Sequence, residues 1–213
     1  MEFTQIFRDV LILLSVIIAV PYVIGFTKFG KAYKIFTLYL LYVAVIQIAL
    51  FFYSLEKANS IHLFHYYFIG QFICLSLFYR TLLRSKWVIG LFGIVALFIG
   101  YSYVNEPRIF YEYHTFGAVL SHSAIVVYAL VYYYRMLSRK GKFLMVNTGV
   151  LIYFLSSSLY YASGNLVIAL GLPKETQRYI GLINDFLYLS FLIIVFWEWY
   201  RNFRVGIAKK ENN

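Results

Sequence analysis

The chain has 213 residues, of which 62% are hydrophobic and 13% charged, with a mean hydropathy of +0.73 and a net charge of +10. A soluble domain of this size could not hide so much apolar surface, so the composition points to a membrane protein. The basic residues fall in short blocks between apolar runs rather than on one face of a domain, which excludes nucleic-acid binding, and a single cysteine, Cys74, excludes an intrachain disulfide or a thiolate metal cluster.

Seven apolar runs of about 18–25 residues are each long enough to cross a ~30 Å hydrocarbon layer as a helix. In chain order they cover 6–26, 35–55, 62–80, 87–104, 114–134, 143–165 and 180–200. The prediction is an all-α integral membrane protein, a single seven-helix domain over 1–213 with a basic tail from 201. The first run has no basic stretch before it and no small-residue cleavage site after it, and so reads as a retained span rather than a signal peptide.

Lys and Arg alternate between the two sides. Lys28, Lys31 and Lys34 lie between spans 1 and 2, Arg80, Arg84 and Lys86 between spans 3 and 4, and Arg135, Arg139, Lys140 and Lys142 between spans 5 and 6. Arg201, Arg204, Lys209 and Lys210 follow span 7, whereas the opposite side has only Arg8, Lys57, Arg108, Lys174 and Arg178. The positive-inside rule then sets the N-terminus outside and the C-terminus in the cytoplasm. Most acids belong to the outer side; Glu198, three residues before Arg201, is expected to pair with it at the inner interface.

Ionisable or amide groups inside spans are costly and therefore mark candidate sites. His62 and His65 open span 3 and share a helix face, which makes them candidates for a metal site, although both also suit headgroup contacts. Gln71 follows in the same span. His114 opens span 5, and His122 lies deeper, within the small-residue run "GAVLSHSA" that favours close helix contact. Span 6 carries Asn147, Ser158 and Asn165 within a narrow arc, which reads either as a cavity wall or as a hydrogen-bonded packing seam. Span 7 opens with Asn184 and Asp185, and the carboxylate demands a partner, for which His114, His122 and Arg178 are candidates. The predicted ligand-binding set is therefore Asp185, His122, His114, Gln71, Asn165, Asn184 and Ser158, in the outer half, with no cofactor required.

"GQFICLSLF" in span 3 matches "NDFLYLSFL" in span 7, aligning Gln71 with Asp185 and Ser76 with Ser190. "FGKAYKIFTLYLLY" before span 2 resembles "KGKFLMVNTGVLIY" before span 6 in the same order, which points to a parallel 3+1+3 duplication about helix 4. That plan is similar to the SWEET-type sugar carriers, but their helix prolines are missing here apart from Pro21. Span 7 has no lysine for a retinal Schiff base and none of the histidines that ceramidase-like hydrolases need there. The stretch "HLFHYYFIGQFICLSLFYRTLLRSK" is similar to the third span of small seven-helix proteins of Bacteroidetes-type bacteria, and resembles the seven-helix sensor region of some histidine kinases. That resemblance implies a sensory or accessory role beside a membrane or cytoplasmic protein partner, with a homo-oligomer as a further option. A small-solute carrier built on Gln71 and Asp185 is the alternative reading. A membrane hydrolase using His122 and Asp185, or a metal held by the histidines, is the second alternative.

Overall fold

A computed structural model describes residues 2–56, 59–137, 141–169 and 173–204. Among them are seven helices and no strand: α1 (Glu2–Ile24), α2 (Lys31–Leu55), α3 (Ile61–Leu83), α4 (Trp87–Asn105), α5 (Thr115–Met136), α6 (Leu144–Ala169) and α7 (Lys174–Asn202). A short 3-10 turn, Pro107–Tyr111, links α4 to α5. All seven helices are long and apolar enough to span a membrane, so the expected seven-helix class stands. Several helices run a turn past their apolar runs, because backbone hydrogen bonding continues through the interface after hydropathy falls. The charge positions Lys57, Arg139, Lys140, Lys209 and Lys210 lie outside the described residues, as do the side chains of Lys174 and Asn165.

The helices form a ring. α1, α2 and α3 pack in sequence, α5, α6 and α7 do the same, and contacts of α3 with α5 and of α1 with α7 close the circle. α4 packs outside it, against α3 and α5. The contact pattern therefore has a 3+1+3 layout. α1 shows how the chain serves such a ring: Ile6, Val10, Leu13, Ile17, Val20 and Ile24 recur every three or four residues and are exposed. Leu11, Ser15, Ile18, Ala19 and Tyr22 take the opposite, buried face. Both faces are apolar, as expected where one meets lipid and the other meets protein.

Burying apolar surface cannot draw such helices together in lipid, so packing shape and hydrogen bonds must fix them. At the end of the bundle that carries the Lys and Arg blocks, the rings of Tyr22, Tyr33, Phe36, Phe78, Phe143 and Phe203 interlock, with neighbouring centroids such as Tyr33–Phe203 at 4.8 Å and Phe36–Phe78 at 5.1 Å. Arg135 of α5 donates to the Leu83 carbonyl at 2.6 Å, satisfying an orphan group at the C-terminus of α3. Further up, the Tyr42 ring of α2 lies over Gly70 of α3, where a Cβ would collide with it.

Glu198 does not make the interfacial pair expected with Arg201. Its carboxylate turns inward and is fully buried, accepting from the backbone N–H groups of Phe143 and Met145 at 3.2 Å each and from Asn202 Nδ2 at 2.8 Å. The N-terminus of α6 presents unsatisfied N–H groups and a positive dipole end inside the protein, and a carboxylate there is worth more than one facing an exposed arginine. The same contact holds Phe143 in the left-handed region, φ 62°, which is unusual for a bulky residue. Glu198→Ala should therefore lower thermal stability in detergent by about 2 kcal/mol or more, the scale of leaving buried N–H groups without acceptors. Arg201→Ala should leave the melting temperature almost unchanged; equal losses in the two variants would contradict the capping role.

Candidate functional site

At the opposite, N-terminal end the ring opens into a cavity of about 590 Å³ between α1, α2, α3, α6 and α7. A second lobe of about 490 Å³ lies toward α1 and α2, and the two share Arg8, Gln47, Leu50, Ser60, Asp185 and Tyr188. The volume of the first lobe falls within the range of small-molecule sites. Its wall is dominated by tyrosine: Tyr67 from α3, Tyr113 ahead of α5, Tyr153, Tyr160 and Tyr161 from α6, and Tyr188 from α7.

Polar contacts hold these rings. The hydroxyls of Ser15 on α1 and Tyr188 on α7 lie 2.9 Å apart, and Gln47 of α2 stands beside Tyr188. Ser157 of α6 donates to Asn184 Oδ1 at 2.8 Å, while Tyr153 stands against both Ser157 and Tyr67. Tyr153 and Tyr188 have ring centroids 5.4 Å apart, and Tyr160 and Tyr161 5.3 Å apart. Spacing explains the geometry on α6: Tyr153 and Tyr160 are seven residues apart, two helical turns, and so occupy one stripe.

Asp185 sits at the junction of the two lobes. Its partner is Arg8 of α1, whose Nε lies 3.5 Å from Oδ2; the carboxylate side chain is 21% exposed and the guanidinium side chain 59%. His114, His122 and Arg178, the partners expected from sequence, are engaged elsewhere. Arg178 lies over the Tyr179 ring. Gly181, one turn before Asp185, leaves room for Tyr160 Oη at 3.9 Å and Arg8 Nη2 at 4.0 Å from where a Cβ would stand. In the second lobe Asp9 accepts from the Gln5 amide at 3.4 Å, and the same amide reaches Ser54 at 3.3 Å.

Of the residues singled out in the sequence, the structure brings Asp185 and Asn184 together on the cavity wall. Gln71 faces the interior but is sealed from the cavity: its Nε2 donates to Tyr39 at 3.5 Å, its Oε1 has no protein partner among the described residues, and Tyr39 lies near Tyr153 and Tyr188. His122 stands behind the wall, edge-on to Phe154 at 4.8 Å and to Tyr161 at 5.4 Å, with neither ring nitrogen hydrogen-bonded among the described residues. Ser158 pairs with Ser123 of α5 at 3.4 Å, and Asn147 accepts from Tyr79 at 2.7 Å and donates to the Ala129 carbonyl at 3.1 Å. The polar stripe on span 6 is thus a packing seam over Asn147 and Ser158. The cavity wall is the adjacent tyrosine stripe, which nothing in the sequence sets apart from the other tyrosines among 22 in the chain.

His62 and His65 face different neighbours. His62 packs on Tyr53, whereas His65 is buried, stacks on Phe110 at 5.4 Å and has Nδ1 2.5 Å from Tyr103 Oη. His114 joins that cluster, 5.0 Å from Tyr103 and 6.5 Å from His65 by ring centroids, and so ties the 3-10 turn to the tops of α3, α4 and α5. Its ring lies across Gly117, where a Cβ would stand 2.6 Å from Nδ1. Among the described residues no three His, Cys, Asp or Glu side chains converge as a metal site would require.

The fold defines a membrane protein of the all-α, seven-helix class with a tyrosine-lined cavity at its N-terminal end. Comparison of the chain with protein-family models, curated proteins and solved structures returns no match.

Burial holds the His114 imidazole below its ordinary range, and neighbouring His65 pushes in the same direction. The folded protein thus keeps His114 neutral where an unfolded chain would take the proton. Its contribution is fully present above the ordinary value of about 6.5 and is lost as pH falls below it. The melting temperature should drop between pH 7.5 and pH 5.5, and His114→Gln should flatten part of that slope. A slope unchanged by His114→Gln would assign the acid sensitivity to other groups.

Proposed function

We propose that this protein is a sensor or receptor-like membrane module that binds a small ligand in the N-terminal cavity. It would act through a membrane or cytoplasmic protein partner at its basic end. In this reading the N-terminus lies outside a bacterial inner membrane and the C-terminus in the cytoplasm, so the cavity faces the exterior. The observation that carries the reading is the cavity itself. An ion pair, amides and six tyrosines converge from five helices and the segment before α5 on a space suited to a small molecule, where a purely structural bundle would be filled. The connections between helices among the described residues are short, so an output would need a partner.

The carrier alternative places Gln71 and Asp185 at one site. It gains nothing from the geometry, because Gln71 lies beneath the cavity rather than in it. The hydrolase alternative pairs His122 with Asp185, and the Tyr161 ring, which packs on His122 and lines the cavity, lies on the His122 side of the wall.

Native mass spectrometry of the full chain released from lipid nanodiscs tests the reading. The wild type should carry a small bound species that Asp185→Ala loses and that Ser102→Ala, on the peripheral α4, retains. A wild type that is empty, beside an Asp185→Ala protein that is merely less stable, would remove the ligand-binding role. Counterflow in liposomes should show no exchange of the species so identified; exchange would favour the carrier.

A further inference from the structure

The cavity has a charge character opposite to that of the whole protein. The chain is +10, yet the charged side chains lining the two lobes, among the described residues, are two carboxylates and one guanidinium, Asp9, Asp185 and Arg8. Asp9 takes its hydrogen bond from a neutral amide, that of Gln5. Asp185 has a cation beside it, but the contact is weak in form. A single Nε–H reaches one oxygen at 3.5 Å instead of the two-pronged fork that arginine can offer, and the guanidinium side chain is more than half exposed. Arg8 can swing away into water at little cost, whereas the Asp185 carboxylate is a short, mostly buried side chain on α7.

Aromatic rings share the cavity with that carboxylate. Tyr153, Tyr160 and Tyr161 all lie within electrostatic reach of Asp185, and Tyr188 shares its lobe. Several tyrosine rings in one cavity with a fixed carboxylate suit a nitrogen cation that carries carbon substituents. The π-faces attract the cation, the apolar substituents displace water from the rings, and the carboxylate supplies the full charge. A bare metal ion does not fit the same donors, since one carboxylate among phenols offers too few hard ligands, and no three-ligand group is present among the described residues. An anion would have to approach two carboxylates to reach Arg8.

We propose that the ligand of this cavity is an organic ammonium ion, seated on Asp185 with its alkyl or aryl groups against Tyr153, Tyr160, Tyr161 and Tyr188, and that Arg8 is the internal cation it displaces. The proposal rests on the ligand-binding reading above and names the chemical class for the same site.

The test is thermal stabilisation of the full-length protein in nanodiscs by millimolar choline, tetramethylammonium or phenethylamine. Beside them run 3,3-dimethylbutan-1-ol, which has the shape of choline without its charge, and myo-inositol and phosphate as neutral and anionic probes. At least one ammonium probe should raise the melting temperature, and dimethylbutanol should not. Asp185→Asn should weaken the ammonium effect about tenfold or more, the scale of losing a charge-assisted contact. Arg8→Ala should retain or strengthen it, because the competing cation is gone. Should Asp185→Asn fail to fold, Tyr160→Leu takes its place, with a severalfold loss expected from the removed ring face. Equal stabilisation by dimethylbutanol, or loss of the ammonium effect in Arg8→Ala, would overturn the proposal. Stabilisation by inositol or phosphate alone would overturn the ammonium class and keep the ligand pocket. No response to any probe, together with an empty native mass spectrum, would remove both.

Discussion

Helices that are apolar on every side gain nothing by hiding that surface from lipid tails, which are equally apolar. What fixes such a bundle is the small number of places where a polar group has one acceptable partner, or a ring has one space to fill. Glu198 is the clearest case. A carboxylate buried at the end of a span would be intolerable alone, and the N-terminus of α6, with Phe143 and Met145 presenting their N–H groups, would be equally incomplete. Each resolves the other, and their meeting sets how α6 and α7 align. Because Phe143 belongs to the aromatic layer with Phe36, Phe78 and Phe203, that alignment also reaches α2 and α3.

The two ends of the bundle use their aromatics differently. At the basic end the rings touch one another and fill the interior. At the N-terminal end the tyrosines are held back by their hydroxyls, Tyr188 by Ser15 and Tyr153 beside Ser157 and Tyr67, so they stand as walls. An aromatic with a polar tip can keep a space open in a way that phenylalanine cannot, because hydrogen bonding fixes its far end. Gln71 belongs to the floor of this arrangement. The greasy third span tolerates it because Tyr39 accepts from its amide one layer below the cavity.

Seven spans and their order were legible from hydropathy alone, since span length is dictated by bilayer thickness. Of the polar groups in the spans that the sequence marks, Asp185 and Asn184 lie on the cavity wall, while Gln71, His122 and Ser158 do not line it. What the sequence concealed was rotation about each helix axis. With both faces of α1, α4 and α6 apolar, no amphipathic side marks the interior, so Asn147 and Ser158 could be a cavity wall or a seam with equal justice. Pairings across great sequence separation were hidden for the same reason. Arg8 is 177 residues from Asp185, and it looked like an interfacial charge because nothing local ties it to α7. The six tyrosines gave no signal against a background of 22 in the chain.

In the proposed reading, the Arg8–Asp185 pair would connect this architecture to a response. α1 and α7 are the two ends of the chain's helical order, and their contact closes the ring. The ion pair lies on that closing seam, at its outer end, beside the Phe7–Phe186 ring contact and the hydrogen bonds of Ser15 with Tyr188 and of Tyr22 with the Val195 carbonyl that also join the two helices. In the proposed reading, a ligand that takes Asp185 from Arg8 would act at the joint between the two three-helix halves. α7 runs on from that joint to Glu198 and the basic end, so a displacement of α7 at the cavity would bear on the cap of α6. An equilibrium is shifted only by the difference in a ligand's affinity for two arrangements. The proposed exchange of an internal guanidinium for an external cation at this seam would supply such a difference.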